Sequence, residues 1–184
     1  MPAQKQPFTL ELALLGLVRM QPAHPYELHQ RLRESRALGL VWQLKQAHLY
    51  ALLARLEAAG YLESMSEAQP NRPPRKMRHL TEQGRAGFTQ WLSEPVHHGR
   101  DFRLEFLAKL FFAHQEGVAT AAQLIERQHA ACAQRVQELE RRIAALPADQ
   151  PFERLVMQFR QGQLEATLQW LDQCAQEIGR AVKR

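Results

Sequence analysis

Four cations, Arg72, Arg75, Lys76 and Arg78, fall between Ala68 and Thr81 in a stretch that contains no acid. Guanidinium and ammonium groups clustered in this way suit phosphate, whose charge they neutralise with release of counterions. The wider charge pattern agrees. Residues 1–94 hold 12 Lys and Arg against 8 Asp and Glu, a net +4, whereas residues 95–184 hold 12 against 11, a net +1. The excess therefore lies in the first half, where an anionic partner would bind. Other chemistry lacks its parts. The sequence offers no convergent nucleophile and base, no Gly-rich phosphate loop and no metal-ligand cluster, so it reads as a non-enzyme needing no cofactor or metal. Cys132 and Cys174 have no second ligand at the close spacing of zinc sites and read as small buried hydrophobes. His97 and His98 are adjacent, cannot share a helix face, and read as solvated loop.

The elements that would position the cations can be read from periodicity. Leu10, Leu14, Leu17 and Val18 predict a first helix from Thr9, with Thr9 as N-cap and Glu11 in the first turn. Pro25 suits a first helical position before Tyr26, Leu28 and Leu32, giving a second helix that ends near Ser35. After a connection holding Gly39, Leu49, Leu52, Leu53 and Leu56 predict a third, closed by Gly60. Tyr61–Glu67 and Arg75–Leu80 then read as two extended segments around Pro70, Asn71, Arg72, Pro73 and Pro74, which no helix would tolerate. Thr81 caps a fourth helix, with Ala86, Phe88, Trp91 and Leu92 on its apolar side and Pro95 after it. Three helices, a hairpin and a helix make a winged helix-turn-helix, whose last helix before the hairpin enters the major groove.

Beyond that, residues 94–100 carry Pro95, His97, His98 and Gly99 and read as a boundary. Phe102, Phe106, Leu107, Leu110 and Phe111 predict one helix. Ala122, His129, Val136 and Ile143, interleaved with Ile125, Cys132, Leu139 and Leu146, form a heptad seam, and Leu164, Leu168, Leu171, Ala175, Ile178 and Val182 form another. Seams so narrow suit a twofold mate better than a closed core within one chain. The fold expected is thus mainly α: a winged helix-turn-helix with a two-stranded wing over 1–94, a linker over 95–100, and an all-α dimerisation domain over 101–184. Its dimerisation residues would be Phe106, Leu110, Val136, Leu139, Ile143, Leu164, Leu168, Leu171 and Ile178. A composition 45% hydrophobic and 23% charged argues for an ordinary soluble protein over a disordered chain. With no span near 20 apolar residues and no secretory pattern at the start, a cytoplasmic location is expected.

The strings "HPYELHQRL" at 24–32, "LYALLARLEAAGYLES" at 49–64 and "NRPPRKMRHLTEQGR" at 71–85 resemble the signature of the PadR family of transcriptional regulators. "DFRLEFLAKLFFA" at 101–113 and "ATLQWLDQC" at 166–174 resemble the helical C-terminal domain of that family's larger members. The resemblance spans nearly the whole chain. It departs from the family pattern at Ala47 and Ala51, where Gly and Pro are usual, at Asn71, where Gly is common, and at Arg78, where an aromatic residue is usual. The last change is expected to add charge on the DNA side. By resemblance Tyr50 is a DNA-contacting tyrosine.

The function expected is that of a sequence-specific, dimeric repressor on a palindromic double-stranded operator. Lys45, Gln46, Ala47, His48 and Tyr50 would meet base edges, because Leu49, Leu52, Leu53 and Leu56 take the other face of their helix. Arg72, Arg75, Lys76 and Arg78 would hold phosphates or the minor groove, and Tyr26 could reach a phosphate. Trp42 and Trp91 read as core, while Trp170, one step off its seam, is the candidate wall for a small aromatic effector. Rival readings are an interaction adaptor and a ligand sensor that does not bind DNA.

Overall fold

Periodicity conceals one element, because six residues make too short a stripe to read. The computed structural model of the chain describes residues 9–69 and 72–181. Its order is α1 Thr9–Met20, α2 Pro25–Glu34, α3 Arg36–Val41, α4 Gln46–Ala58, β1 Leu62–Gln69, β2 Arg72–Leu80 and α5 Glu82–Ser93. A 3-10 turn Gly99–Arg103 leads to α6 Glu105–Glu116, α7 Val118–Ala144 and α8 Pro151–Ala181. The connection expected around Gly39 is therefore a helix. Ser35 caps it, its Oγ accepting the Leu38 N–H at 3.2 Å, and Leu38 is buried. Counted with it, the helix expected to read bases is α4.

Each helix of the first half starts and stops for local reasons. At α2, Pro25 occupies the first turn, His24 Nδ1 accepts the Tyr26 N–H at 3.2 Å, and the Glu27 carboxylate accepts the His24 N–H at 3.3 Å. Helix α4 ends at Gly60, whose φ of +79° is a left-handed conformation that favours glycine. Leu14, Leu28, Leu32, Leu49, Leu53 and Leu56 are fully buried, each contributing about 1.5–3 kcal/mol relative to exposure. Glu11, expected to serve the first turn of α1, is itself buried and pairs with Arg55 of α4 at 3.0 Å.

The wing is longer than expected. Strands β1 and β2 pair antiparallel from Leu62 opposite Leu80 to Gln69 opposite Arg72, with an irregularity between Glu67 and Gln69. Strand β2 runs through Pro73 and Pro74, which an edge of a two-stranded sheet accommodates because that edge needs no donor. At the wing root, Thr81 Oγ1 donates to the Gly60 carbonyl at 2.6 Å and accepts the Gly84 N–H at 3.0 Å. Gly84 is tightly placed: a Cβ there would lie 2.1 Å from the Tyr61 carbonyl oxygen.

The chain divides into two compact units, residues 9–93 with 103–112 and residues 94–102 with 113–181. The first turns of α6 thus belong to the first unit, although they follow the expected linker. There Phe112 packs edge-on to Phe88, with ring centroids 5.7 Å apart, and a Cβ on Gly16 would meet its ring at 2.7 Å. Trp91, expected in the core, is buried, and its Nε1 donates to Glu105 at 3.2 Å. Lys109 of α6 is buried too, paired with Glu105 at 3.0 Å. In the second unit α7 packs against α8 and buries Ala121, Leu124, Ile125, Gln128, Cys132, Val136 and Leu139.

Part of the expected dimer seam is buried within the chain itself. Phe106 lies in the core of the first unit and Leu171 in that of the second, both at 0% exposure. Val136 and Leu139 are also buried within the chain, whereas Leu110, Ile143, Leu164, Leu168 and Ile178 are half-buried. Val182, the last seam residue, lies outside the described residues.

Candidate nucleic-acid interface

Because four leucines anchor one face of α4, its first turns present their remaining side chains to solvent. Lys45 stands at the N-cap, and Lys45, Gln46, Ala47 and His48 are exposed. Tyr50 is 37% exposed, and Gln46 Nε2 donates to its hydroxyl at 3.5 Å. This is the face expected to read bases, and its donors and acceptors are available to do so.

Helix α2 extends that surface. Tyr26 is exposed, and Gln30 Nε2 donates to its hydroxyl at 3.3 Å. A depression lined by Tyr26, His29, Gln30, Arg33, Glu34 and Gln46 joins α2 to α4, so the fold brings Tyr26 and Gln46 to one surface. Sequence reasoning missed Gln30, Arg33 and His29. The spacing of Tyr26, His29, Gln30 and Arg33, three and four apart along one helix, was the signal available. His29 acts on position rather than contact. Its Nε2 donates to the Leu44 carbonyl at 3.1 Å and so holds the residue before the N-cap of α4.

The wing departs most from expectation. Arg78 was expected to add charge on the DNA side, yet its side chain is only 14% exposed. Its Nη2 pairs with Glu57 of α4 at 3.2 Å, and its backbone N–H donates to the Ala23 carbonyl at 3.0 Å. The bond to Ala23 ties β2 at this point to the loop before α2, and Glu57 also accepts a hydrogen bond from Ser64 of β1. Arg75 is likewise engaged, its Nη1 lying 2.9 Å from Glu27 of α2, but both partners remain partly solvated. Lys76 is exposed. The side chain of Arg72, and all of Asn71, lie outside the described residues. A stretch without acids in sequence is thus matched in space by carboxylates from two helices.

In the second unit Trp170 is half-buried. A groove of about 550 Å³ opens between α7 and α8, lined by Ala122, Ile125, His129, Leu171, Ala175 and Ile178 among others, and Trp170 is not among its walls. Burial pushes both the Cys132 and the Cys174 thiol above the usual cysteine range. Among the described residues no cluster of His, Cys, Asp or Glu could hold a metal ion, and no helix is long and apolar enough to cross a membrane.

Residues 14–90 match the model of the transcriptional regulator PadR-like family, and residues 102–179 match that of the virulence activator alpha C-terminal domain. The chain carries a PadR-like domain followed by a virulence activator alpha C-terminal domain. Among curated proteins this PadR-like chain is 27% identical over 103 residues to the negative transcriptional regulator PadR of Bacillus subtilis, covering 56% of each chain. It is also 27% identical over 84 residues to the probable transcriptional regulator Rv1176c of Mycobacterium tuberculosis, covering 46% of this chain and 43% of that one. The matches span about half the length of these relatives. Among solved structures, Bacillus subtilis PadR in complex with operator DNA aligns with a TM-score of 0.46 at 22% identity, covering 93% of this chain and 98% of that one. The Vibrio cholerae virulence activator AphA aligns at 0.40 and 20% identity, covering 94% and 99%.

Proposed function

We propose that this chain is a sequence-specific DNA-binding repressor that acts as a homodimer on a palindromic operator in the cytoplasm. Residues 1–94 read the duplex, 95–100 link, and 101–184 dimerise. The observation that carries the reading is the exposed, polar start of α4 beside the exposed Tyr26 of α2. Lys45, Gln46, His48 and Tyr50 reach base edges, Ala47 offers a small apolar contact, and Tyr26 meets a phosphate. In the wing Lys76 and Arg72 neutralise phosphates. Arg75 does so by exchanging its partner Glu27, while Arg78 holds the wing in place.

Two copies then present two reading helices, and repression follows from occupying a promoter. The remaining apolar surface of Leu110, Val136, Leu139, Ile143, Leu164, Leu168 and Ile178 contributes to the dimer. The Bacillus subtilis relative is described as a negative regulator, and its structures include complexes with operator DNA and with p-coumaric acid. On that likeness a small aromatic effector releases this chain from DNA, with Trp170 as a candidate wall. The family assignment and the want of catalytic grouping in the sequence both favour a regulator that performs no reaction of its own.

The test is a mobility-shift titration against duplexes that the protein itself selects from a random-sequence pool. Specific binding should exceed binding to unselected duplex by roughly a thousandfold and weaken steeply with salt. Equal affinity for both pools would refute sequence-specific reading.

A further inference from the structure

Gln128 occupies a core position of α7, between Leu124 and Cys132 on the buried stripe, with 0% of its surface exposed. A primary amide costs several kcal/mol to desolvate unless it is fully hydrogen-bonded, and leucine would fill such a place at no polar cost. The amide is fully engaged. Its Oε1 accepts the Val96 N–H at 2.7 Å, and its Nε2 donates to the Val96 carbonyl at 3.0 Å and to Cys132 Sγ at 3.5 Å. The reverse orientation would set donor against donor and acceptor against acceptor, so the backbone of Val96 dictates how the side chain lies. Two turns further on, Arg135 donates to the His97 carbonyl. Val96 itself is buried.

The segment so clamped is Glu94–Phe102. By its contacts it belongs to the second unit, yet Ser93 before it and Arg103 after it belong to the first. Buried polar side chains that replace an apolar residue at a cost are best known for fixing register. We propose that Gln128 is a positioning residue that locks this strap to α7 at one register, and that the lock sets the spacing at which a dimer accepts two operator half-sites. The proposal rests on the DNA-binding reading above. A loosely tied strap would leave each reader free to shift, and a dimer of shifting readers would tolerate half-sites at several separations.

The experiment uses the full chain, with Gln128→Leu to delete all three bonds at similar volume, and Gln128→Asn to keep the amide but shorten its reach. Arg135→Ala, which touches only the outer bond, serves where the core variants fail to fold. Hydrogen exchange reads the clamp without DNA: the Val96 amide should be protected in the unaltered protein and lose roughly tenfold to a hundredfold in the core variants. Binding is then measured on the selected duplex and on duplexes with one or two base pairs added between half-sites. The unaltered protein should lose about tenfold or more per change of spacing, and the core variants should bind all spacings within about threefold of one another. A freely exchanging Val96 amide in the unaltered protein overturns the clamp. Variants that lose Val96 protection yet keep the full spacing preference overturn its role. Failure of the unaltered protein to select any duplex would sink the DNA-binding reading itself, and is told apart because the exchange measurement still stands.

Discussion

The start of α4 and the wing are both expected to meet DNA, yet they treat their polar groups in opposite ways. In α4 the leucines turn inward and leave Lys45, Gln46, His48 and Tyr50 exposed, with Gln46 donating to the Tyr50 hydroxyl. In the wing the described arginines turn back on the protein, Arg78 to Glu57 and Arg75 to Glu27. A cation counted in the sequence is therefore not a cation available to a phosphate. On the proposed reading, specificity falls to α4, anchorage of the wing to Arg78, and nonspecific affinity to Lys76 and to whatever part of Arg75 its carboxylate releases.

Substitutions sharpen that contrast, the largest effect falling where the wing is anchored. Arg78→Ala removes the ion pair to Glu57 and the packing of a side chain only 14% exposed, and should cost about 2 kcal/mol of stability, read by denaturant unfolding. If Arg78 were a phosphate contact, stability would hold and only DNA affinity would fall. Tyr50→Ala should lower affinity for the selected duplex by roughly tenfold to thirtyfold, with little change on random duplex and none in unfolding midpoint. A uniform loss on both duplexes would move Tyr50 from reader to phosphate contact. Lys76→Ala should weaken all duplexes alike by about threefold to fivefold and reduce the slope of log affinity against log salt by about 0.9. Smallest of all, Glu27→Gln frees Arg75 and should raise affinity by about twofold to threefold with a steeper salt slope. A decrease would show that the carboxylate aims Arg75 rather than restraining it.

The helices that carry long leucine stripes were legible because burial on one face leaves a period in the sequence. Helix α3 left none: its six residues bury only Leu38, and Ser35 caps it through a bond that periodicity does not record. The wing cations were legible as a cluster, but Glu27 and Glu57 lie 48 and 21 positions from their partners, and no local pattern announces that meeting. The expected seams were read as needing a mate, whereas α7 and α8 satisfy part of each other and Phe106 serves the first unit. Gln128 escaped notice for the converse reason, since a polar side chain at a helix position reads as surface until its backbone partner is seen.

The account stands most directly on photocrosslinking the full chain to a selected duplex carrying 5-iodouracil at successive positions of one half-site, followed by mass mapping of the attached peptide. The expected product is residues 46–55, the tryptic peptide that bears Gln46, His48 and Tyr50. Crosslinks found only in residues 113–181, with none in that peptide at any position of the half-site, would contradict it.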